Sequence, residues 1–259
     1  MTLVVVGTGT DVGKTVLSAV VLARHGAASP LAYWKPIASG ARDGRDTTTV
    51  AALVSAALPP PDGVRFLAET HIFDEPLSPH LAARLAGQRV DPAAVLADFD
   101  RHRAAERGLL VETAGGLLVP LLDYDHGDGA HLQADLLVAM AGRTVPSDLA
   151  CLVVGHSGLG TINHTLLTLE ALRARGLAVA AVALNGQRND ENRRAIASYG
   201  GIDAMLDLPP IEPLTPATLA AAAAAFDPDA RLAPWLRTDR PERIERIERT
   251  EPEKSATLS

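Results

Sequence analysis

The residue types best suited to chemistry stand at the start of the chain, where "GTGTDVGKT" (Gly7 to Thr15) follows directly on "LVVV" and opens an amphipathic stretch. A triphosphate carries several negative charges, so a site for one must supply donors, a cation and a metal ligand. Backbone N–H groups of a glycine-bearing turn, aimed by the positive end of the next helix, supply the donors. Lys14 offers a mobile cation, and the Thr15 hydroxyl a Mg2+ ligand. The spacing departs from the usual phosphate loop, whose first glycine stands where this chain has Thr8; here the glycine, Gly7, comes one residue earlier. The strand-before, helix-after context still marks a phosphate loop.

Mg2+ takes octahedral oxygen coordination, commonly with one or two carboxylates beside phosphates and water. Glu112 closes the strand-like "LLVE" and reads as a metal ligand or base, or as a strand-end carboxylate capping the next turn. On spacing alone, Asp46 in "ARDGRDTTTV" reads as the N-cap of a helix beginning at the threonines. In "WKPIASG", Lys35 follows a strand that Pro36 stops, and Ser39 and Gly40 add a hydroxyl and exposed backbone. A lysine held near a terminal phosphate neutralises charge that develops in phosphoryl transfer; in isolation such a lysine more simply faces solvent. Cys151, inside "ACLVV", reads as a buried small hydrophobe. His126 and His131, with Asp123, Asp125 and Asp128, match no closed metal-ligand spacing and read as a solvated loop. His156, in "GHSGLG", reads as a positioned neutral histidine or part of a turn.

Those groups need elements to position them. "LVVV", "LAYW", "LLVE", "CLVVG" and "VAAVALN" alternate with longer amphipathic stretches, the pattern of βαβ units around a parallel sheet buried on both faces. "TVLSAVVLARHG" and "NHTLLTLEALRARG" have helical spacing and glycine stops at Gly26 and Gly176. Both should pack on the sheet. "AALPPPDG" and "DYDHGDGAH" read as loops, and "TPATLAAAAAAFDPDARLAPWL" as one final helix. Residues 236–259 are charged and poor in apolar types, the composition of a disordered tail.

At 259 residues and 47% hydrophobic content the chain can bury one substantial core, so a single domain over 1–235 suffices. Net charge is −7 with Lys and Arg scattered, which argues against a nucleic-acid partner. No apolar run reaches the roughly eighteen residues of a membrane span, and the start lacks a signal-peptide pattern. These features predict a cytoplasmic protein.

The ensemble resembles the ATP-dependent dethiobiotin synthetases. "GTGTDVGKT", "WKPIASG", Asp46, "PLSPHLAA", "VETAGGLLVPL", "GLGTINHTLLTLEAL", the asparagine of "ALNG" and "LPP" run in the order of that family, to about residue 235. The displaced first glycine is the family's usual form. The resemblance implies a P-loop NTPase-type, Rossmann-like α/β fold with a mostly parallel sheet and helices on both faces. It implies that 7,8-diaminononanoate, CO2 or bicarbonate, and ATP give dethiobiotin, ADP and phosphate through a carbamate and its mixed anhydride with phosphate. Lys14 and Lys35 are then catalytic; Thr10, Asp11, Val12, Gly13, Lys14, Thr15, Asn185 and Pro209 bind nucleotide; and Thr15, Asp46 and Glu112 hold Mg2+. Thr10 and Ser39 touch substrate, and Gly160, Thr161 and Asn163 hold its tail carboxylate from a neighbouring subunit, which implies a homodimer.

One position departs from the family. Thr113 replaces the first glycine of Glu-Gly-Ala-Gly-Gly, which is costly if φ there is positive and harmless if negative. Other readings stay open: an amidating ligase, which needs a glutamine-hydrolysing domain that this chain lacks the length for; an ATP-driven switch of the partition or metallochaperone kind, whose extra loop lysine is absent from "GTGT"; and a degenerate synthetase with little activity.

Overall fold

The computed structural model describes residues 1–57, 64–123 and 131–236. Residues 58–63 of the expected Pro-rich loop, 124–130 of the histidine loop and 237–259 of the expected tail lie outside the described residues.

In chain order the first half runs β1 (Thr2–Gly7), α1 (Lys14–His25), β2 (Leu31–Trp34), β3 (Ile37–Ser39), a 3-10 turn (Ala41–Asp43), α2 (Asp46–Ala57), β4 (Val64–Phe66), β5 (His71–Phe73), α3 (Pro79–Leu85) and α4 (Pro92–Ala105). The second half runs β6 (Gly108–Gly116), α5 (Gln133–Ala141), β7 (Leu149–His156), α6 (Thr161–Arg173), β8 (Val179–Asn185), α7 (Asp190–Gly200), β9 (Met205–Leu208), α8 (Pro216–Ala225) and α9 (Ala233–Leu236). The main sheet has the order β4-β2-β6-β1-β7-β8-β9, and every one of these pairings is parallel. A second, two-stranded sheet joins β3 and β5.

Both faces of the sheet are covered, because each strand sends alternate side chains to opposite sides. Val4 and Val6 of β1 join one core layer, with Phe99 of α4, Leu137 of α5, Leu172 of α6 and Ile196 of α7. Leu3 and Val5 join the other, with Val20 of α1, Val54 of α2, Leu219 of α8 and Leu236 of α9. Thus α1 and α6, both expected on the sheet, lie on opposite faces. Cys151 is fully buried as expected, and burial pushes its thiol up to about 12.

Two expectations need correction. The final stretch is two helices, not one: between α8 and α9 the backbone turns left-handed at Asp227 and Ala230. The Asp227 carboxylate accepts from the N–H groups of Arg231 and Leu232, so the side chain captures donors that a continuous helix would use internally. In addition, the strand containing "LLVE" continues past Glu112 to Gly116, which places Glu112 inside a strand rather than at its end.

The strand order decides the site. β6 is inserted between β1 and β2, so the chain segments that leave β1 and β2 pass on either side of β6 at the carboxyl edge of the sheet. In open α/β sheets that edge is where ligands gather.

Candidate active site

The phosphate loop leaves β1 at Gly7 and enters α1 at Lys14. Its displaced glycine has a steric cause. A β-carbon at Gly7 would lie 2.6 Å from the Gly9 carbonyl oxygen and 2.9 Å from both the Gly115 carbonyl oxygen and Lys14 Nζ. Only a residue without a side chain leaves room for the lysine head, which donates to the Gly9 carbonyl at 3.1 Å. Thr8 instead uses its N–H in a bond to the Val154 carbonyl at 2.8 Å. Asp11 adopts φ 56°, a left-handed conformation that aspartate tolerates better than most residues. Gly13 caps α1 at φ 95°, and a β-carbon there would fall 2.2 Å from Asn185 Nδ2. That amide, at the end of β8, donates to the Val12 carbonyl at 3.1 Å. Pro209, exposed, follows Leu208, the residue paired with Asn185.

Glu112 is fully buried and stands at the centre of the arrangement. Its Oε1 lies 2.9 Å from Thr15 Oγ1 and accepts from Lys35 Nζ at 3.1 Å. Its Oε2 accepts from Ser18 Oγ at 2.7 Å and from Tyr33 Oη at 2.9 Å. Asp46 completes the group: Oδ1 lies 2.7 Å from Thr15 Oγ1, and Oδ2 accepts from Lys35 Nζ. Asp46 is the first residue of α2, and its carboxylate is turned to Thr15 and Lys35, not used as an N-cap. Lys35 is only 6% exposed, so the solvent-facing reading of this lysine does not hold.

The Thr15 hydroxyl has two carboxylate oxygens within hydrogen-bond range but a single proton to give. Three hard oxygens gathered in this way fit a small divalent cation, since cis ligands at about 2.1 Å in an octahedron stand about 3 Å apart. Charge in the site is balanced by proximity. Burial alone would lower the pKa of Lys35, but the carboxylates of Glu112 and Asp46 outweigh it and hold the ammonium above its ordinary range. Burial would raise Asp46; Lys35 outweighs that and keeps its carboxyl below the usual value. Lys14 is lowered, chiefly by burial, with Glu112 acting against the shift. Burial, followed by the charge of Glu112, drives the Tyr33 phenol well above its usual value, so it remains a neutral donor.

A cleft of about 720 Å3 opens over this group, within the size range of small-molecule sites. Thr10, Asp11, Gly13, Lys14, Thr15, Lys35, Ser39, Asp46 and Glu112 all line it. Asn185 touches the back of the loop. Gly160, Thr161 and Asn163 do not line the cleft: Gly160 starts α6 at φ 89°, Thr161 is buried with its hydroxyl 3.5 Å from that of Thr165, and Asn163 is exposed. Thr113 takes no left-handed φ; the described non-glycine residues with positive φ are Asp11, Asp227 and Ala230. It lies in β6, and its hydroxyl donates to the Val5 carbonyl at 2.9 Å. A β-branched residue suits that backbone.

Sequence reasoning missed several participants. Ser18 and Tyr33 carried a usable signal in their spacing, one helical turn after Thr15 and two strand positions before Lys35. Gln133 did not: its side chain accepts from the Ala114 N–H at 2.9 Å and donates to the Gly116 carbonyl at 3.0 Å, which steadies the end of β6 from a helix distant in sequence. The cleft wall formed by Pro76, Leu77, Ser78, Pro79 and Val119 was likewise given no role.

A glycine loop from the central strand into the first helix, a lysine and a threonine at that helix start, and two carboxylates, one within the neighbouring strand β6 and one at the start of α2, define a P-loop nucleotide-binding α/β protein. The fold agrees with solved structures of that kind. It aligns with the MinC:MinD cell division protein complex of Aquifex aeolicus at a TM-score of 0.51 and 12% identity, covering 86% of this chain and 94% of that one. It aligns with pNOB8 ParA bound to nonspecific DNA at 0.51 and 10% identity, covering 96% and 99%. At such low identity these likenesses establish the fold alone.

A family model described as an AAA domain matches residues 1–218. Closer relatives narrow the assignment. The chain is 42% identical over 230 residues to the ATP-dependent dethiobiotin synthetase BioD of Rhizorhabdus wittichii, covering 88% of this chain and 96% of that protein. It is 40% identical over 216 residues to the enzyme of the same name from Paramagnetospirillum magneticum, covering 83% and 91%. The chain belongs to the ATP-dependent dethiobiotin synthetase family.

Proposed function

We propose that this protein is an ATP-dependent cyclo-ligase of biotin biosynthesis that converts 7,8-diaminononanoate and CO2 to dethiobiotin, with ATP cleaved to ADP and phosphate. The observation that carries the reading is the convergence of Lys14, Thr15, Lys35, Asp46 and Glu112 in one cleft, in a chain about two-fifths identical to proteins of that name. The substrate amine takes up CO2 as a carbamate, the terminal phosphoryl group of ATP passes to a carbamate oxygen, and the second amine closes the cyclic urea as phosphate leaves.

In this reading the backbone from Thr10 to Thr15 cradles the phosphates, and Lys14 swings from the Gly9 carbonyl to the β- and γ-phosphates. Lys35, kept charged by its carboxylate neighbours, neutralises the negative charge that builds on the carbamate oxygen and the transferring phosphoryl group. Thr15, Asp46 and Glu112 hold Mg2+, whose contribution is to screen phosphate charge. Thr10 and Ser39 orient the substrate head, while Asn185 and the backbone at Pro209 receive the base. Gly160, Thr161 and Asn163 bind the tail carboxylate of a substrate lodged in a neighbouring subunit, so the working unit is a homodimer. Their position outside this chain's own cleft supports that division, and the positive end of α6 suits an anion.

The reading assigns the chemistry to residues 1–235 and leaves 236–259 as a charged tail, although α9 extends to Leu236. It places the enzyme in the cytoplasm; among the described residues no helix is long and apolar enough to cross a membrane. The test is phosphate release from ATP with product identified by mass. Release should require both the diamine and bicarbonate and give dethiobiotin. Rapid ATP turnover without the diamine would favour the switch class instead.

A further inference from the structure

Glu112 is gripped by two pairs of residues. Tyr33 on β2 and Lys35, one residue past its end, stand two positions apart, and both reach Glu112 on β6; the register pairs Tyr33 with Leu110 and Trp34 with Val111. On α1, Thr15 and Ser18 stand one turn apart, also facing Glu112. Each pair divides in the same way. Lys35 and Thr15 meet Oε1, while Tyr33 and Ser18 meet Oε2. The first two line the open cleft; Tyr33 and Ser18 do not, and both are fully buried.

We propose that Tyr33, with Ser18, is a positioning residue that locks the Glu112 carboxylate by saturating Oε2 and so presents Oε1 alone to the cation in the cleft. The proposal rests on the metal-site reading above. Two neutral hydroxyls donating to one oxygen use up its ordinary acceptor capacity without cancelling the charge that a cation needs. A carboxylate at the end of a Glu side chain otherwise has three torsions to settle, and a ligand ordered in advance binds more tightly than one ordered on contact. The Tyr33 ring packs against Phe66 with centroids 6.4 Å apart, a contact that phenylalanine would retain. The hydroxyl is therefore separable from the ring.

The test uses the full chain with ADP and Mn2+ as the cation probe, with free and bound Mn2+ distinguished by electron paramagnetic resonance. Tyr33→Phe should weaken Mn2+ binding about tenfold, as loss of one hydrogen bond to a buried charged group predicts, while metal-free ADP affinity stays within about twofold. Ser18→Ala, on the other element, should do the same, and it decides the matter should Tyr33→Phe fail to fold. Unchanged Mn2+ affinity in the folded variants, or an equal loss of metal-free ADP binding, overturns the proposal. Glu112→Gln separates the two levels: if it leaves Mn2+ affinity intact, the metal-site reading falls and takes this proposal with it. If it weakens Mn2+ and the hydroxyl variants do not, only the brace falls.

Discussion

α1 and α6 begin alike, each from a left-handed glycine without a side-chain cap, Gly13 at φ 95° and Gly160 at φ 89°. Each follows a buried parallel strand, β1 or β7, through a glycine-bearing loop. What surrounds them differs. The loop before α1 is packed from behind by Asn185 and faces Lys35, Asp46 and Glu112. The loop before α6 projects outward: Leu159 is fully exposed, and a β-carbon at Gly160 would meet only the His164 ring, at 3.6 Å. One local design thus yields a cleft lined with charged groups in one place and an exposed helix start in the other. The neighbours contributed by other strands make the difference.

The largest expected effect tests the charged site. Lys35→Ala should lower turnover about a thousandfold, as removal of a group that stabilises developing charge does, while nucleotide binding falls only slightly. Phosphate release and a fluorescent-nucleotide titration check the two halves, and unaffected turnover would remove Lys35 from the mechanism. Next comes the pair of glycines. Gly13→Ala should weaken nucleotide binding about thirtyfold through left-handed strain and collision with Asn185, whereas Gly160→Ala, strained but unobstructed, should leave nucleotide affinity unchanged. Equal losses in one titration would break the comparison.

A smaller effect is expected at the open loop. Asn163→Ala should raise the KM for the diamine about tenfold with kcat and thermal stability nearly constant, because the side chain is exposed. Steady-state kinetics and a melting curve decide it. The smallest effect concerns pH. Asp46 has a folded pKa below its ordinary value; although burial pushes the other way, the charge of Lys35 prevails. A depressed carboxylate stabilises the fold above its ordinary pKa and loses that contribution as pH falls through the folded one. Urea midpoints of the wild type and Asp46→Asn should therefore differ at about pH 6, with the gap starting to close only below about pH 4, while Asn163→Ala should show no such convergence.

Much of the fold was legible because a doubly covered parallel sheet writes itself into short apolar runs. All five runs read as strands belong to the main sheet, and "VAAVALN" matches β8 end to end. β4 and β9, at the sheet's edges, are short and each carries a charged residue, Arg65 and Asp207, so neither shows the unbroken apolar run that marks four-residue β2. The break after Phe226 was hidden because alanine-rich sequence favours helix whether or not Asp227 diverts the backbone. In the site, residue types revealed Lys14, Thr15 and Glu112. Asp46 looked like a helix cap because only the folded chain brings Lys35 and Thr15 to its carboxylate.

The sequence alone determined the phosphate loop, the parallel sheet and the family resemblance, since each is recorded in residue type and short-range spacing. Thr113 could not be judged there, because its cost depends on a backbone angle; β6 supplies an extended one and a carbonyl for its hydroxyl. The grip on Glu112 also belongs to the tertiary structure alone. It joins residues 79 and 94 positions apart in the chain, Tyr33 and Ser18 with Glu112, and exists because β6 is inserted between β1 and β2, an order that no local pattern encodes.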